Sequence, residues 1–298
     1  MLPTLRQLHY LKLLAQHGSF SRAAETAHVT QPTLSAGIQE LERILGARLV
    51  DRNRSGVILT AAGTEVVARA GVILAQAEDL VQEARGAGQP LAGRFRLGVI
   101  PTVAPFMLPA TLPVIRARYP RLKLFLREDL THRLLADLRA GALDAALVAL
   151  PYDMTGLEWA HVEHDELLAA FPANHPLCDI ERISPEQLDG EELILLEDGH
   201  CLRHHALTAC GVGSARHASD QGFAATSLAT LMLMVGSGLG VSFLPAMAVE
   251  AGLARAAQVT VRTLESDQAS REIVVAWRAG STRATEARLL AGLFGANL

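Results

Sequence analysis

An apolar seam between residues 59 and 86 restricts the folding of this chain more than any other feature. Leu59, Gly63, Val66, Ala70, Ile73, Ala77, Leu80 and Ala84 recur at alternating four- and three-residue steps, heptad spacing over about four heptads. A polar-backed helix this long cannot bury its stripe against the roughly 60 residues before it. It is therefore expected to pair with a second copy, and its glycines and alanines let two such helices approach closely. The seam also divides the chain. Behind it lies a small head, and beyond it "GAGQPLAG" (86–93) reads as a hinge, with residues 88–93 joining unlike segments.

A chain of 298 residues has room for about two cores. Half of its residues are apolar and 19% are charged, as in ordinary globular proteins. No apolar run approaches the ~18–20 residues that span a bilayer, and "MLPTLRQLHYLKLLAQHG" lacks the pattern of a signal peptide. Three cysteines, Cys178, Cys201 and Cys210, are too few for a secreted disulfide scaffold. The expectation is a cytoplasmic protein in a reducing compartment, with no membrane partner.

Charge is distributed unevenly. Residues 1–60 hold seven Lys/Arg against four acids, a surplus of +3 that leaves −7 on the remainder. A basic end on an acidic body suits a DNA-reading module joined to something else. Within that end, Leu5, Leu8, Leu11 and Leu14 mark an amphipathic helix that Gly18 stops, and Ser19 is placed to cap "FSRAAETA". Thr30 and Pro32 open a third helix with an apolar stripe of Leu34, Ile38, Leu41 and Leu45, closed by Gly46. This is a helix-turn-helix, and "RLVDR" and "GVILT" beyond it read as a β-ribbon wing. The candidate DNA-binding residues are Ser19, Thr30, Gln31, Pro32, Thr33, Ser35 and Gln39, with Arg52 and Arg54 placed to meet phosphates or the minor groove of double-stranded DNA.

Past the hinge, strand and helix patterns alternate: "RFRLGVIPT", "APFMLPATLPVIRARYP", "LKLFLRED", "THRLLADLRAGALD", "AALVALP". Such alternation predicts α/β architecture with parallel sheets. The part beyond the hinge (94–298) is expected to form two lobes, one from about 94–164 and 269–298, the other from about 165–268. A chain that crosses twice between lobes leaves a cleft suited to a small molecule.

"GHCLRHHALTAC" (199–210) admits three readings. Cys201, His204, His205 and Cys210, with His200 and His217 near, could bind zinc, but a nine-residue gap fits no common finger spacing. The thiols could be small buried hydrophobes, as Cys178 is expected to be if it is not simply a surface thiol. Or they could form a redox pair. If 201–210 is helical, nine steps of ~1.5 Å separate the Cα atoms by ~13.5 Å, against the roughly 4.4–6.8 Å of a disulfide. Joining them would require the segment between them to be rebuilt.

The stretch "FSRAAETAHVTQPTLSAGIQELERILGARLVDRNRSGVILTAAG" resembles the head of LysR-type transcriptional regulators. The pattern Ala-Ala, Gln-Pro-Thr-Leu-Ser, Ile-x-x-Leu-Glu, Leu-Gly, Leu-x-x-Arg, Leu-Thr-x-x-Gly carries the resemblance, and "GSGLGVSFLPA" is similar to a glycine-rich turn of the same regulators. "GVIPTVAPFMLP", "THRLLADL", "LLEDGHCLRHHAL" and the cysteine at 210 resemble the peroxide-sensing branch of that family.

The resemblance implies a winged helix-turn-helix (1–60), a linker helix (61–87) and a two-lobed α/β effector domain of the periplasmic-binding-protein type. It implies a homotetramer, a dimer of dimers, that binds promoter DNA and responds to hydrogen peroxide. RNA polymerase and a thiol reductant would be further partners, with no cofactor and no metal. On this resemblance Cys201 is the peroxide-reactive thiol and Cys210 the resolving one. His200, Thr102, Thr131 and Arg271 would surround the peroxide. Where the resemblance implies an acidic residue after Cys201, this chain has His204 and His205. Two rivals stand beside this reading. One is a regulator answering a small organic effector in the cleft, with incidental cysteines. The other is a thiol peroxidase, disfavoured because the chain lacks a thioredoxin-like pattern, so no enzyme is expected.

Overall fold

The computed structural model describes residues 1–53, 56–86, 90–211 and 225–296. The chain divides into two units: Met1–Gln89 with Ala136–Leu143 and Gly280–Arg283, and Pro90–Leu135 with Asp144–Ala279 and Ala284–Leu298.

In the first unit Thr4 and Gln7 form a capping box that starts α1 (Leu5–His17). α2 (Phe20–Thr26) and α3 (Gln31–Leu45) follow. Gly18 and Gly46 close α1 and α3 as their positions suggested, and Thr30 Oγ1 accepts the Thr33 N–H at the head of α3. Ser19 occupies the N-cap position of α2, yet its side chain makes no capping hydrogen bond. Leu11, Leu14, Leu34, Ile38 and Leu41 meet in one core, and the small side chains of Ala23 and Ala24 are buried within it.

The wing is an antiparallel pair, β1 (Val50–Asn53) and β2 (Gly56–Leu59), with Val50 opposite Leu59. Glu42 at the end of α3 anchors it: its Oε1 accepts the N–H groups of Leu49 at 2.7 Å and Val50 at 3.2 Å. Thr60 then joins wing to helix, donating Oγ1–H to Arg48 O at 2.7 Å and accepting the Gly63 N–H at 3.0 Å. A Cβ on Gly63 would stand 2.0 Å from Leu49 O, so only glycine fits. The Leu-Thr-x-x-Gly motif is thus the junction between wing and helix. α4 (Ala61–Gly86) follows, with Ala70 buried and Ile73 and Leu80 exposed. The hinge expected at 88–93 falls partly on residues 87–89, outside the described residues.

Past residue 90 the chain enters the second unit and alternates strand and helix as read, with the last turn of α6 belonging to the first unit: β3 (Gly93–Val99), α5 (Ala104–Arg118), β4 (Leu122–Glu128), α6 (Thr131–Arg139) and β5 (Ala145–Leu150). The long β6 (Leu157–Pro172) leads to β7 (Arg182–Ile183), α7 (Cys201–Ala209) and α8 (Leu228–Gly236). The chain continues through β8 (Ser242–Pro245), α9 (Ala246–Glu250), α10 (Leu253–Ala256), β9 (Val259–Leu264), β10 (Ser270–Arg278) and α11 (Ala284–Gly295). Strand order is β4-β3-β5-β10-β6-β9-β7, with β8 also on β6.

The sheet is mixed, which corrects the expectation of parallel strands throughout. β3 runs parallel to β4 and β5, but β10 is antiparallel to both β5 and β6. The cause is the double crossing. The chain leaves the first half of this unit along β6, whose later residues pair with β8 and β9, and returns along β10 in the opposite sense. The apolar run "LILLED" (193–198) makes only isolated bridges, Leu193 to Val241 and Leu196 to Ala225. Among the described residues no helix is long and apolar enough to cross a membrane.

Candidate functional site

Two surfaces hold the residues singled out from sequence. On α3, Leu34, Ile38 and Leu41 face the core, which turns Gln31, Pro32, Thr33 and Gln39 outward and leaves Ser35 half-buried. Ser21 Oγ donates to Gln31 Oε1 at 2.9 Å, and the hydroxyls of Thr30 and Thr33 lie 2.8 Å apart. Short polar groups on a rigid helix are suited to reading base edges in a major groove. Arg54 and the side chain of Arg52 lie outside the described residues.

The second surface surrounds the cysteine segment. Gly199 (φ +98°) turns the backbone so that α7 begins at Cys201. A Cβ on Gly199 would stand 3.0 Å from Leu130 Cδ1, which seats this turn against the start of α6. Cys201 through Ala209 are helical and Cys210 is the C-cap. The helix therefore holds the two Cα atoms about 13.5 Å apart, and all three cysteines are free thiols. At opposite ends of one helix the two sulfurs cannot share a tetrahedral ion. His217, a further candidate ligand, lies outside the described residues.

The two ends of α7 differ chemically. A cavity of about 440 Å³ is walled by Pro151 and Tyr152, beyond β5, and by His200, Cys201, His204 and His205 of the α7 turn. Cys210 instead packs among Phe171, Leu195, Val241 and Phe243, where burial pushes its thiol up to about 12. Burial also lowers the pKa of His200, opposed by Glu197, and raises that of Tyr152, to which the charge of a Cys201 thiolate adds. His205 is buried, its Nε2–H donating to Leu150 O at 2.9 Å. Desolvation, aided by the charge of Arg271, brings its pKa down to about 4.

Arg271, whose sequence context also allowed an exposed charge, is 1% exposed. It donates Nε–H to Asp165 Oδ2 at 2.8 Å, and its two terminal nitrogens donate to Thr102 Oγ1 at 2.8 Å and Thr102 O at 3.1 Å. Thr102 and Arg271 are thus brought together, although 169 residues separate them. Thr131 opens α6 with its hydroxyl buried and without a hydrogen-bond partner among the described residues. None of these three lines the cavity that Cys201 lines. Sequence reasoning missed Tyr152 and Asp165. Asp165 carried a weak signal, an acid embedded in a strand and followed by "ELLAAF".

Residues 5–64 match the bacterial regulatory helix-turn-helix model of the lysR family, and residues 88–298 match the LysR substrate binding domain. The chain belongs to the LysR family. Among LysR-family relatives, the HTH-type transcriptional regulator EstR of Acinetobacter baylyi is 44% identical over 248 residues, 83% of this chain and 81% of its own. The hydrogen peroxide-inducible genes activator of Dickeya chrysanthemi is 39% identical over 245 residues, 82% and 80% of the two chains. Full-length OxyR of Pseudomonas aeruginosa, solved as a cysteine-to-aspartate variant, superimposes with a TM-score of 0.80 at 34% identity, covering 100% of this chain and 99% of that one. The resemblance carried by the motifs is met at the level of family and of fold.

Proposed function

We propose that this chain is a cytoplasmic, DNA-binding transcription regulator that senses hydrogen peroxide through Cys201 and does not act as an enzyme. One observation carries the reading: two reduced thiols at opposite ends of α7, one on a cavity wall and the other sealed in an apolar cluster. The Cys201 thiolate attacks one peroxide oxygen, the O–O bond breaks, and the departing hydroxide takes up a proton to give water and a sulfenic acid. The Cys210 thiol then condenses with the sulfenic acid, releasing a second water and forming the disulfide.

That bond cannot close across an intact α7, so oxidation dismantles the helix and alters contacts between copies of the chain. His200 supplies a polar group on the cavity wall, which Thr102 and Thr131 do not line. Arg271 brings a buried positive charge, part of whose field Asp165 cancels. The α3 surface reads promoter DNA in the major groove, and α4 joins the copies into a dimer of dimers. RNA polymerase and a thiol reductant complete the set of partners.

Replacing Cys201 separates sensing from DNA binding. Cys201→Ser is expected to keep promoter affinity within about twofold while abolishing the peroxide-induced change, read by gel mobility and by mass spectrometry of thiol pairing. Full response of that variant would end the reading. The cavity supports a second one: about 440 Å³ is ample for an organic effector of several heavy atoms and far larger than peroxide needs. Peroxide treatment with no loss of thiols would favour it.

A further inference from the structure

The reading above leaves His205, on the cavity wall, unused. His205 is 4% exposed, and its Nε2 lies 2.9 Å from the carbonyl oxygen of Leu150. A carbonyl only accepts, so the proton sits on Nε2 and Nδ1 carries a lone pair. That Nδ1 is buried and has no hydrogen-bond partner among the described residues. Leaving a buried acceptor unpaired costs about 1–3 kcal/mol, so a small donor molecule is its natural complement.

Its place on α7 says which donor. His205 follows Cys201 by four residues, one turn along the same helix face. Helical side chains lean toward the N-terminus, so the imidazole covers the turn that carries Cys201. Both residues open into the same cavity. Desolvation, reinforced by surrounding charges and opposed by the hydrogen bond to Leu150, keeps the ring an acceptor. Arg271 on β10, itself paired with Asp165 on β6, and the neighbouring His204 both disfavour an imidazolium. Tyr152, His200 and the ion pair of Asp198 with Arg203 complete the titratable and charged groups on the cavity wall.

We infer that His205 Nδ1 accepts a hydrogen bond from the peroxide oxygen that Cys201 attacks, holding it against the sulfur. Peroxide carries an O–H on each oxygen, whereas a carboxylate offers none. No proton moves to His205: the attacked oxygen keeps its hydrogen and becomes the sulfenic acid O–H. The other oxygen leaves as hydroxide and takes up the proton released when the thiol ionised. His205 is a positioning residue, and this role rests on the peroxide-sensing reading.

Oxidation and alkylation rates test it in the reduced full-length chain. The initial rate of Cys201 oxidation by hydrogen peroxide is measured beside alkylation by iodoacetamide, both by mass spectrometry. His205→Leu should slow oxidation about tenfold, the worth of one hydrogen bond, and leave alkylation within about twofold. His205→Gln, which keeps a donor for Leu150 and a carbonyl acceptor, should recover most of the oxidation rate. Equal slowing toward both reagents, or none toward peroxide, overturns the inference.

Should His205→Leu fail to fold, nitrogen NMR of the Cys201→Ser chain decides. Added peroxide should shift the His205 Nδ1 resonance, and an unmoved resonance at saturating peroxide overturns the role. The two levels fail differently. A wild-type Cys201 no faster than free cysteine sinks the sensing reading, whereas fast oxidation that ignores His205 sinks only this one.

Discussion

Burial holds the His205 imidazole neutral down to about pH 4, against 6.5 for an exposed ring. Between these values the unfolded chain binds the proton and the folded chain does not, so stability is full above pH 6.5 and is lost as pH falls toward 4. The loss reaches about 3 kcal/mol. Glu163, on β6, behaves in the opposite sense. Burial, reinforced by Asp165 and Glu250 and opposed by Arg271 and His161, raises its pKa from 4.5 to about 7. Its contribution is greatest below pH 4.5 and is lost as pH rises to 7. Calorimetric melting between pH 4 and 7 checks both signs. His205→Gln should flatten the acid side of the Tm profile, and Glu163→Gln should raise Tm near neutrality.

At the scale of elements, the junction between wing and linker helix tolerates little change. Gly63→Ala places a methyl 2.0 Å from Leu49 O, so backbone must shift at a cost of about 2 kcal/mol or more. A lowered thermal midpoint by circular dichroism, with the wild-type spectrum retained at low temperature, is the expected result. The helices of this head were legible because their signals are local: Thr30 and Gly46 carry their own capping chemistry. Sheet direction was not, since the sense of β10 depends on where the chain returns from and not on its own residues. "LILLED" has the composition of a strand, yet its contacts are single bridges to distant residues. The cysteine turn stood out by residue type alone. The burial of Arg271 on Thr102 and Asp165 did not, because a charged residue before a strand reads equally well as surface.

At the scale of the whole molecule, the heptad seam bears on assembly. Ile73 and Leu80, seven residues apart on α4, are 44% and 67% exposed in the single chain. Apolar residues repeating along an open helix face are covered in a stable protein by another copy. Ile73→Glu together with Leu80→Glu is expected to shift the sedimentation profile toward monomer with helix content unchanged. Persistence of the wild-type oligomer would locate the contact elsewhere.

The depth of Cys210 bears on time. A signal written in both sulfurs must wait for α7 to open, since its second thiol sits beyond a nine-residue helix in apolar surroundings. Under the proposed disulfide mechanism this gives the device a built-in latency: a brief pulse of oxidant would mark one end of the helix and be erased, whereas sustained exposure would outlast the wait and be recorded.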